Sequence, residues 1–476
     1  RRFVYEGVIT AAGGITGAFD SVSAAGAGSG LFSLSVAVDD GIGGASAGSL
    51  SSQSIGIQAV PSLNLVVTRA SFADLPGVVT PNQQNLGQAL EIIFSGGTFG
   101  SDLSSLFDHI LGLPLDAVPG FYDEIAGGSQ AETPQTFVRS DEYFKDQIRA
   151  RISAVRNLDG NCVVASLGEG CFRRYAQGGP VITDTSDPFA WLRDGLRRSG
   201  STSVWARALG VWGSREASIH APGSDIATGG LIAGVDHVIS QTLMAGGAIQ
   251  YTHTDVDFAR SPNEATVEGY QAGGYFSAGD SDLYLNGNAS VLYNTFDTAR
   301  RFNVGGTSYT ARADYDATSV SAGFEVGTVI EADGGHIQPY AGLSYLRQWV
   351  DGYRESGAGG LGLIVAEDAV DSLVSTLGVR ASFPMTVGGT KILPELRAAW
   401  RHEFLDVKQT LDVAFVGAPG VAFAVRGTQS GRDTAVLGAG VTAPLSDSAV
   451  IYADYEAQIS QTHDAHALTI GLRLTW

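Results

Sequence analysis

Two short motifs in this sequence contain serines in settings that resemble those of catalytic nucleophiles. Residues 44–48 (Gly-Ala-Ser-Ala-Gly) fit the pattern of a serine on a sharp turn, and residues 279–283 (Gly-Asp-Ser-Asp-Leu) place a serine beside an aspartate. The first pattern requires a buried strand before the serine and a helix after it, whereas residues 44–48 lie in a stretch rich in Gly, Ala and Ser. The second motif is interrupted by Asp282 and has the composition of a turn. Neither serine is therefore expected to be catalytic.

Two further motifs could bind a cofactor or a metal. Gly357, Gly359 and Gly362 have the spacing of a dinucleotide-binding loop, but that loop requires a strand before it and a helix after it, which the surrounding sequence does not predict. His463 and His466 could hold a metal together with a nearby aspartate, but the composition favours a polar hairpin loop. The sequence thus predicts no catalytic residue, no metal site and no cofactor, and we expect this part of the protein not to be an enzyme.

The most informative element is the last strand that the sequence predicts. Large apolar residues occupy every second position up to the final residue, and small or polar residues fill the gaps. A period of two places the apolar side chains on one face of a strand. Transmembrane β-barrels place aromatic residues where the bilayer meets water, and here the terminal residue is aromatic. The residues of this pattern are Leu468, Ile470, Leu472, Leu474 and Trp476.

Composition limits the remaining possibilities. The formal net charge is −20, which argues against nucleic acid as a partner because phosphate binding requires a basic surface. No run approaches the ~18 apolar residues of a membrane-spanning helix, so a membrane protein of this composition would have to be a closed barrel. The amino terminus lacks the apolar core of a secretory signal, and we expect the sequence to begin inside a longer precursor.

Strand-like alternation continues throughout the carboxyl-terminal half, in about twelve segments. In a soluble sandwich the apolar face points inward, whereas in a transmembrane barrel it faces lipid and the polar face lines the lumen. The segments are approximately 203–214, 227–239, 242–258, 265–279, 282–298, 314–330, 336–351, 371–384, 390–404, 424–444, 449–460 and 466–476. The charged residues expected to face the lumen are Glu325, Glu395, Arg397, Arg401, Glu403, Asp454, Glu456 and Arg473.

The connections between these segments favour the barrel over a sandwich or a propeller. Tight turns near residues 240, 280, 333, 388 and 446 alternate with long connections at 215–226, 299–313, 352–370 and 405–423. Short turns on one side and long loops on the other are typical of bacterial outer-membrane barrels, and an even strand count returns both ends to the same side. We therefore predict a mostly β fold with a 12-stranded antiparallel transmembrane β-barrel over 201–476.

The preceding residues divide into three regions. Residues 1–70 are either a flexible linker or the end of a β-solenoid, which we favour. Residues 71–135 predict a helical junction whose first helix follows Thr80-Pro81, with further helices near 101–111 and 114–126. Residues 136–200 predict a helix at 137–156, a loop and a helix at 187–198. Cys162 and Cys171 lie in that loop, and a disulfide is the default in an exported chain, whereas a metal site would need more ligands.

This layout resembles the carboxyl-terminal part of a bacterial autotransporter, a type V secretion protein. The terminal pattern is similar to the signal that the family presents to the barrel insertion machinery, and residues 80–83 (Thr-Pro-Asn-Gln) resemble its passenger–barrel junction. The resemblance implies an outer-membrane translocator, surrounded by lipid, that exports and displays its own amino-terminal passenger. Some members cut themselves at paired asparagines in the pore helix; no such pair occurs in this sequence.

The barrel topology requires the chain to cross the pore before residue 201. Length favours the helix at 137–156, because ~20 residues span ~30 Å, whereas adjacency to the first strand favours 187–198. We expect 187–198 in the lower lumen, with 137–171 higher or outside. Its arginines could pair with the lumen acids, although a hydrated wall without specific partners is an equal alternative. These arginines are Arg193, Arg197 and Arg198.

Three hypotheses for function follow. The first is the translocator. The alternatives are that the full-length protein is a surface adhesin, or a hydrolase or protease, whose active passenger lies upstream. A plain diffusion pore is a rival, but it would not require a plug and a leader of about 200 residues.

Overall fold

The computed structural model describes residues 2–17, 32–39, 46–48, 57–158 and 202–476. The last range has short gaps at 220, 241, 260, 281, 333–334, 389, 406–408, 430 and 447. Its largest element is a closed antiparallel β-barrel, in which each wall strand pairs with the next and the last pairs with the first. The barrel confirms the predicted fold class.

Twelve strands form the wall, and we number them β1 to β12. Their bounds are β1 Thr202–Arg215, β2 Ser224–Ser240, β3 Leu243–Phe258, β4 Glu264–Gly279, β5 Tyr284–Val304, β6 Thr307–Gly327, β7 Gly335–Val350, β8 Asp368–Ser382, β9 Thr390–Glu403, β10 Asp433–Ser446, β11 Ala449–Ser460 and β12 His463–Thr475. Two short strands, Ile330–Ala332 and Met385–Val387, pair with the starts of β7 and β9. We call the end of the barrel with the connections between β7 and β8 and between β9 and β10 the long-loop end. The connections at the other end are all short.

Side chains alternate across the wall as the sequence predicts for a barrel in lipid. In β12, Ile470 is 51% exposed on the outside, whereas Thr469 is 1% exposed on the inside. Leu468, Leu472 and Leu474 are exposed on the same outer face as Ile470, and so is Trp476. Such an outer surface is stable in hydrocarbon rather than in water.

The predicted long connection at 299–313 is wrong. Strands β5 and β6 continue through it and meet at a two-residue turn of Gly305 and Gly306, with φ of 60° and 83°. Positive φ at both central residues suits the right-handed twist of a hairpin, and glycine adopts it without steric cost. The Gly-Gly pair between two β-type runs was the signal for this hairpin.

The two long connections that follow β6 together form a separate small sheet. Between β7 and β8 and between β9 and β10 lie four short strands, which pair into one antiparallel sheet. These strands are Tyr353–Arg354, Leu363–Val365, Thr410–Phe415 and Ala422–Arg426, and a 3-10 turn, Gly359–Leu361, lies between the first two. The predicted strand 424–444 is therefore wrong at its start, because Ala422–Arg426 belongs to this loop sheet and the wall resumes at Asp433.

Four helices precede the barrel, namely α1 Pro81–Gly96, α2 Ser101–Gly112, α3 Val118–Ile125 and α4 Gly128–Leu158. Thr80 and Gln83 form a capping box at the start of α1, and Gly97 ends it with φ 73°. Helices α1 to α3 enclose a core with Phe72, Leu75 and Val78. Within the described residues, no helix has the length and apolarity needed to cross a bilayer.

Residues 2–69 contribute strands Arg2–Gly17, Phe32–Asp39, Ser46–Gly48 and Ile57–Arg69. They form one sheet in which the last strand lies between the first two, and every described pairing is antiparallel. The described strands cover only part of residues 1–70, so the expected solenoid end stays a prediction.

Candidate functional site in the barrel lumen

Helix α4 lies inside the barrel and runs from one end to the other. Near its start, Glu132 accepts a hydrogen bond from the backbone N–H of Thr428, in the long connection after β9 (2.9 Å). Near its end, Ser153 donates to Glu395 on the short-turn side of β9 (3.4 Å). At 1.5 Å per residue its 31 residues extend about 46 Å, which exceeds the ~30 Å core of a bilayer. Residues 137–156 reach the short-turn end of the lumen, so the expectation that they lie higher or outside is wrong. The expectation for residues 187–198 stays a prediction, because they lie outside the described residues.

One face of α4 is apolar and packs on β1 to β4. Phe144, Ile148 and Ile152 form a buried cluster on this face. Its partners are inward-facing side chains of these four strands, namely Trp205, Ile232, Met244, Ala248 and Tyr275. The spacing of four residues places the three helix side chains in one stripe, so this contact fixes how α4 is rotated within the lumen.

The opposite face of α4 is charged and faces the later strands. Asp146 accepts hydrogen bonds from Arg401 of β9 at 2.6 Å and from Arg149 at 2.7 Å. Glu142 pairs with Lys145 at 3.0 Å and accepts from Ser344 of β7 at 3.4 Å. The helix therefore matches a lumen whose two halves differ in polarity.

A buried bidentate contact between α4, which we call the plug, and the wall joins Arg151 to Asp236. The guanidinium Nε and Nη2 atoms donate to the two carboxylate oxygens at 2.7 Å each, and both side chains are 2% exposed. Tyr275 also donates to Asp236 at 2.9 Å, and Trp205 donates to Tyr275 at 2.8 Å. A bidentate pair of this kind is directional as well as strong.

A second contact holds the middle of α4 against the first half of the wall. Asp141 accepts from Gln271 at 2.7 Å, from Ser321 at 2.8 Å and from Ser290 at 3.2 Å. Its other oxygen lies 2.6 Å from Lys145 Nζ. One carboxylate thus connects the helix to three neighbouring strands, β4, β5 and β6.

The predicted lumen residues lie on inward or rim positions, and several of them pair with other residues of the wall. Glu325 accepts two hydrogen bonds from Arg380, at 3.0 and 2.9 Å. Arg397 makes a bidentate contact with Asp454, at 2.7 Å each, and approaches Glu395 and Glu456 at 3.3 Å. Arg473 is buried on the inner face of β12, and Glu403 accepts from the backbone N–H of Leu373 at 2.9 Å.

The pairing of Arg193, Arg197 and Arg198 with these acids remains a prediction, because residues 159–201 lie outside the described residues. The disulfide predicted between Cys162 and Cys171 lies there as well and also stays a prediction. Sequence reasoning missed Arg151, Asp141 and Asp236. For Asp236 the sequence did contain a signal. The alternation in β2 places Asp236 on the face opposite Val235 and His237.

Helices α1 to α3 cover the long-loop end of the barrel. Asn82 in α1 both donates to the carbonyl of Arg426 (2.9 Å) and accepts from its N–H (2.8 Å), and Asn85 donates to the carbonyl of Ala424 (2.8 Å). These side-chain amides take the place of a neighbouring strand along the edge of the loop sheet. Asp102 of α2 accepts from the N–H of Gly360 at 2.7 Å. We call α1 to α3 with residues 70–80 the lid.

Replacing both asparagines with alanine is expected to loosen the lid. The double variant Asn82→Ala/Asn85→Ala leaves edge groups of Arg426 and Ala424 unpaired, at roughly 1 kcal/mol for each hydrogen bond. Hydrogen exchange of the amides in 422–426 should become at least tenfold faster. Gln84→Ala is the matched control, because Gln84 is exposed on the same helix. Equal exchange in the double variant and the wild type would contradict the role assigned to these amides.

A fully buried ion pair connects the lid side of the barrel to the wall. Arg300 of β5 donates to Glu355 at 3.1 and 2.6 Å, and both side chains are at most 1% exposed. Glu355 also accepts from Gln130 of α4 (3.0 Å) and from the N–H of Leu363 (2.8 Å). This pair thus joins the wall, the loop sheet and the start of the plug.

A further ion pair lies where the last amino-terminal strand enters the lid. Arg69 donates to both carboxylate oxygens of Glu91, at 2.6 and 2.8 Å. Burial alone would raise the pKa of Glu91, but the hydrogen bonds and charge of Arg69, with the N–H of Phe72, hold that pKa below its ordinary value. The strand is therefore fixed to α1 by a charged contact at neutral pH.

The chain is similar to several known proteins. An extracellular serine protease of Serratia marcescens is 26% identical over 357 residues, covering 75% of this chain and 32% of the relative. Outer membrane protein B of Rickettsia rickettsii is 25% identical over 348 residues, covering 66% and 20%. The chain thus spans about a third or less of the length of these relatives.

Among solved structures, the translocator domain of the autotransporter NalP from Neisseria meningitidis is 17% identical, with a TM-score of 0.48 over 60% of this chain and 91% of that chain. The β domain of the Bordetella autotransporter BrkA is 24% identical, with a TM-score of 0.43 over 58% and 99%. The model of the Autotransporter beta-domain family matches residues 204–456. Because this match covers more than half of the chain, the protein belongs to the Autotransporter beta-domain family, and its barrel is an outer-membrane translocator for its own amino-terminal passenger, which it displays at the cell surface.

Proposed function

We propose that this barrel exports the residues before α4 through its lumen and that α4 is the part of the exported chain that remains there. The observation that carries the proposal is the path of the chain. The lid contacts the long-loop end, α4 crosses the lumen, and β1 begins the wall. In this arrangement the long-loop end is extracellular, and the amino-terminal sheet lies on the passenger side.

The proposal can be tested by cross-linking α4 to the barrel wall on intact cells. Gln147 of α4 donates to Thr469 of β12 at 3.1 Å, so cysteines at these positions should react with a short bis-thiol reagent. Cys162 and Cys171 are first replaced by serine, and an epitope tag is placed at the amino terminus. We expect the cross-link in the same molecules whose tag is accessible to antibody outside the cell. A surface tag without a cross-link, or a folded barrel with an inaccessible tag, would overturn the proposal.

We propose two further partners. The exposed apolar band of the wall contacts lipid directly, with Tyr270, Trp400 and Tyr455 among its outward-facing aromatic residues. The terminal residues, from Leu468 to Trp476, present their apolar side chains on the outer face of β12. There the barrel insertion machinery binds them before the barrel enters the membrane.

If the outer face contacts lipid, the stability cost of a charged substitution there should depend steeply on its depth in the bilayer. Leu377 is exposed at the middle of the outer face of β8, so Leu377→Lys should destabilise the barrel by about 2–4 kcal/mol. Thr266→Lys is the matched control: Thr266 lies on the outer face of β4 near its long-loop end, and the same charge there should cost at most about 1 kcal/mol. Denaturant titration in lipid vesicles measures both. Similar losses for the two variants would contradict the proposed lipid boundary.

The activity of the whole protein is a second proposal. Two extracellular serine proteases of Serratia marcescens match this chain, and we propose that a passenger delivered by this barrel carries a hydrolytic activity of that kind. A surface adhesin is the alternative. A fluorophosphonate probe applied to cells that express the full-length gene product tests the difference. Covalent labelling of the displayed passenger supports the hydrolase, and absence of labelling overturns it.

A further inference from the structure

One row of inward-facing polar side chains crosses the wall on the side opposite the charged half of the lumen. Gln250 of β3 lies opposite Gln271 of β4, which lies opposite Leu292 of β5. Leu292 lies opposite Ser319 of β6, which in turn lies opposite Gln348 of β7. Asn294 lies two residues from Leu292, on the same face of β5. We call Gln250, Gln271, Asn294, Ser319 and Gln348 the polar row.

The polar row is buried and largely unpartnered. Gln348 is 0% exposed, Asn294 1% and Gln250 5%. Among the described residues, neither side-chain polar atom of these three amides has a hydrogen-bond partner, and the same holds for Ser319 Oγ and Gln271 Oε1. Only the Gln271 amide nitrogen is paired, with Asp141 of the plug and with Ser290. Within the described residues, the row therefore makes few of the hydrogen bonds that its side chains can form.

The chemistry of the row matches one class of ligand, the peptide backbone. A side-chain amide offers a donor and an acceptor of the same kind as a peptide group. A backbone that is extended rather than helical has its own N–H and C=O groups free to pair with such amides. The row contains no charged residue, so it would bind without regard to passenger sequence. Helix α4 satisfies its backbone internally and therefore leaves the row unpaired once it occupies the lumen.

We infer that the polar row is a binding site for the backbone of the polypeptide in transit. This inference rests on the proposed export function. As extended chain passes through the narrow lumen, the amides of β3, β4, β5 and β7 replace hydrogen bonds that its peptide groups lose to water. Because the row spans five adjacent strands, it offers contacts along one side of the lumen. Charged residues of β8, β9 and β11, among them Arg380, Arg397 and Asp454, lie on the other side.

The test compares export rate with stability in the full chain carrying an amino-terminal tag. The variant Gln250→Leu/Gln348→Leu removes four unpaired polar atoms at similar side-chain volume. Pulse-chase measurement of surface tag should show export slowed at least threefold, by the same factor for two unrelated passenger segments. The melting temperature of the finished, plugged barrel should stay unchanged or rise. Gln250→Asn/Gln348→Asn retains the amides and should export at close to the wild-type rate.

Gln458→Leu is the control for altering a buried lumen glutamine. Gln458 of β11 donates to Glu456 at 3.0 Å and lies outside the row, so this variant should leave the export rate unchanged. Heat-modifiable electrophoresis reports the folded fraction, to which export is normalised. An export rate equal to wild type in the Leu double variant would overturn the inference, and so would slower export with a lower melting temperature, which indicates a structural role. Absence of surface tag in the wild type would instead overturn the proposed function itself.

Discussion

Replacing Arg151 with alanine is expected to lower the free energy of unfolding of the plugged barrel by about 3–5 kcal/mol. The substitution leaves the buried carboxylate of Asp236 without its cation, with Tyr275 still donating to it. It also removes the bidentate contact that joins α4 to β2. We therefore expect the end of the plug to detach and the single-channel conductance of the barrel in planar bilayers to rise above that of the wild type.

A double-mutant cycle separates the pair from the packing around it. Asp236→Leu alone leaves Arg151 uncompensated and should cost a similar amount. The double variant Arg151→Met/Asp236→Leu should recover most of the loss, because apolar side chains of comparable volume can replace a buried ion pair at little cost. Additive losses in the cycle, or an unchanged conductance in Arg151→Ala, would show that the pair does not hold the plug.

Replacing Glu355 with alanine is the second large effect that we expect. Arg300 would remain fully buried, and its acceptors among the described residues would be the carbonyls of Ile125 and Leu361, both at 3.3 Å. Gln130 of α4 and the N–H of Leu363 would lose their acceptor as well. We expect a loss of about 3–5 kcal/mol, with the lid and loop sheet cut at low concentrations of external protease on intact cells.

Two control variants show whether the stability loss of Glu355→Ala comes from the lost negative charge or from the lost hydrogen bonds. Glu355→Gln keeps an acceptor but removes the negative charge, and we expect an intermediate loss. Arg301→Ala removes an exposed ion pair with Glu264 on the outside of the same strand, and such pairs contribute about 0–1 kcal/mol. Should Glu355→Ala and Arg301→Ala resist protease equally well, the buried pair would not be what joins lid, plug and wall.

The sequence by itself determined the wall. Alternation with period two is local information, and the same residues that alternate in β12, from Leu468 to Trp476, face outward in the structure. The capping box at Thr80 and the glycines that end α1 are likewise local, and they predicted the first helix correctly. The hairpin at Gly305 and Gly306 was also present in the sequence, although it was interpreted as a long loop.

The tertiary structure alone decided what fills the lumen and what closes it. Arg151 and Asp236 are 85 residues apart, and Arg300 and Glu355 are 55 apart, so no periodicity relates them. Ala422–Arg426 has the composition of a wall strand, yet its edge groups pair with Asn82 and Asn85, more than 330 residues earlier. The helix that length favoured lies in the lumen, where its apolar face packs on β1 to β4 and its charged face pairs with later strands. That match is visible only when the barrel has closed around the helix.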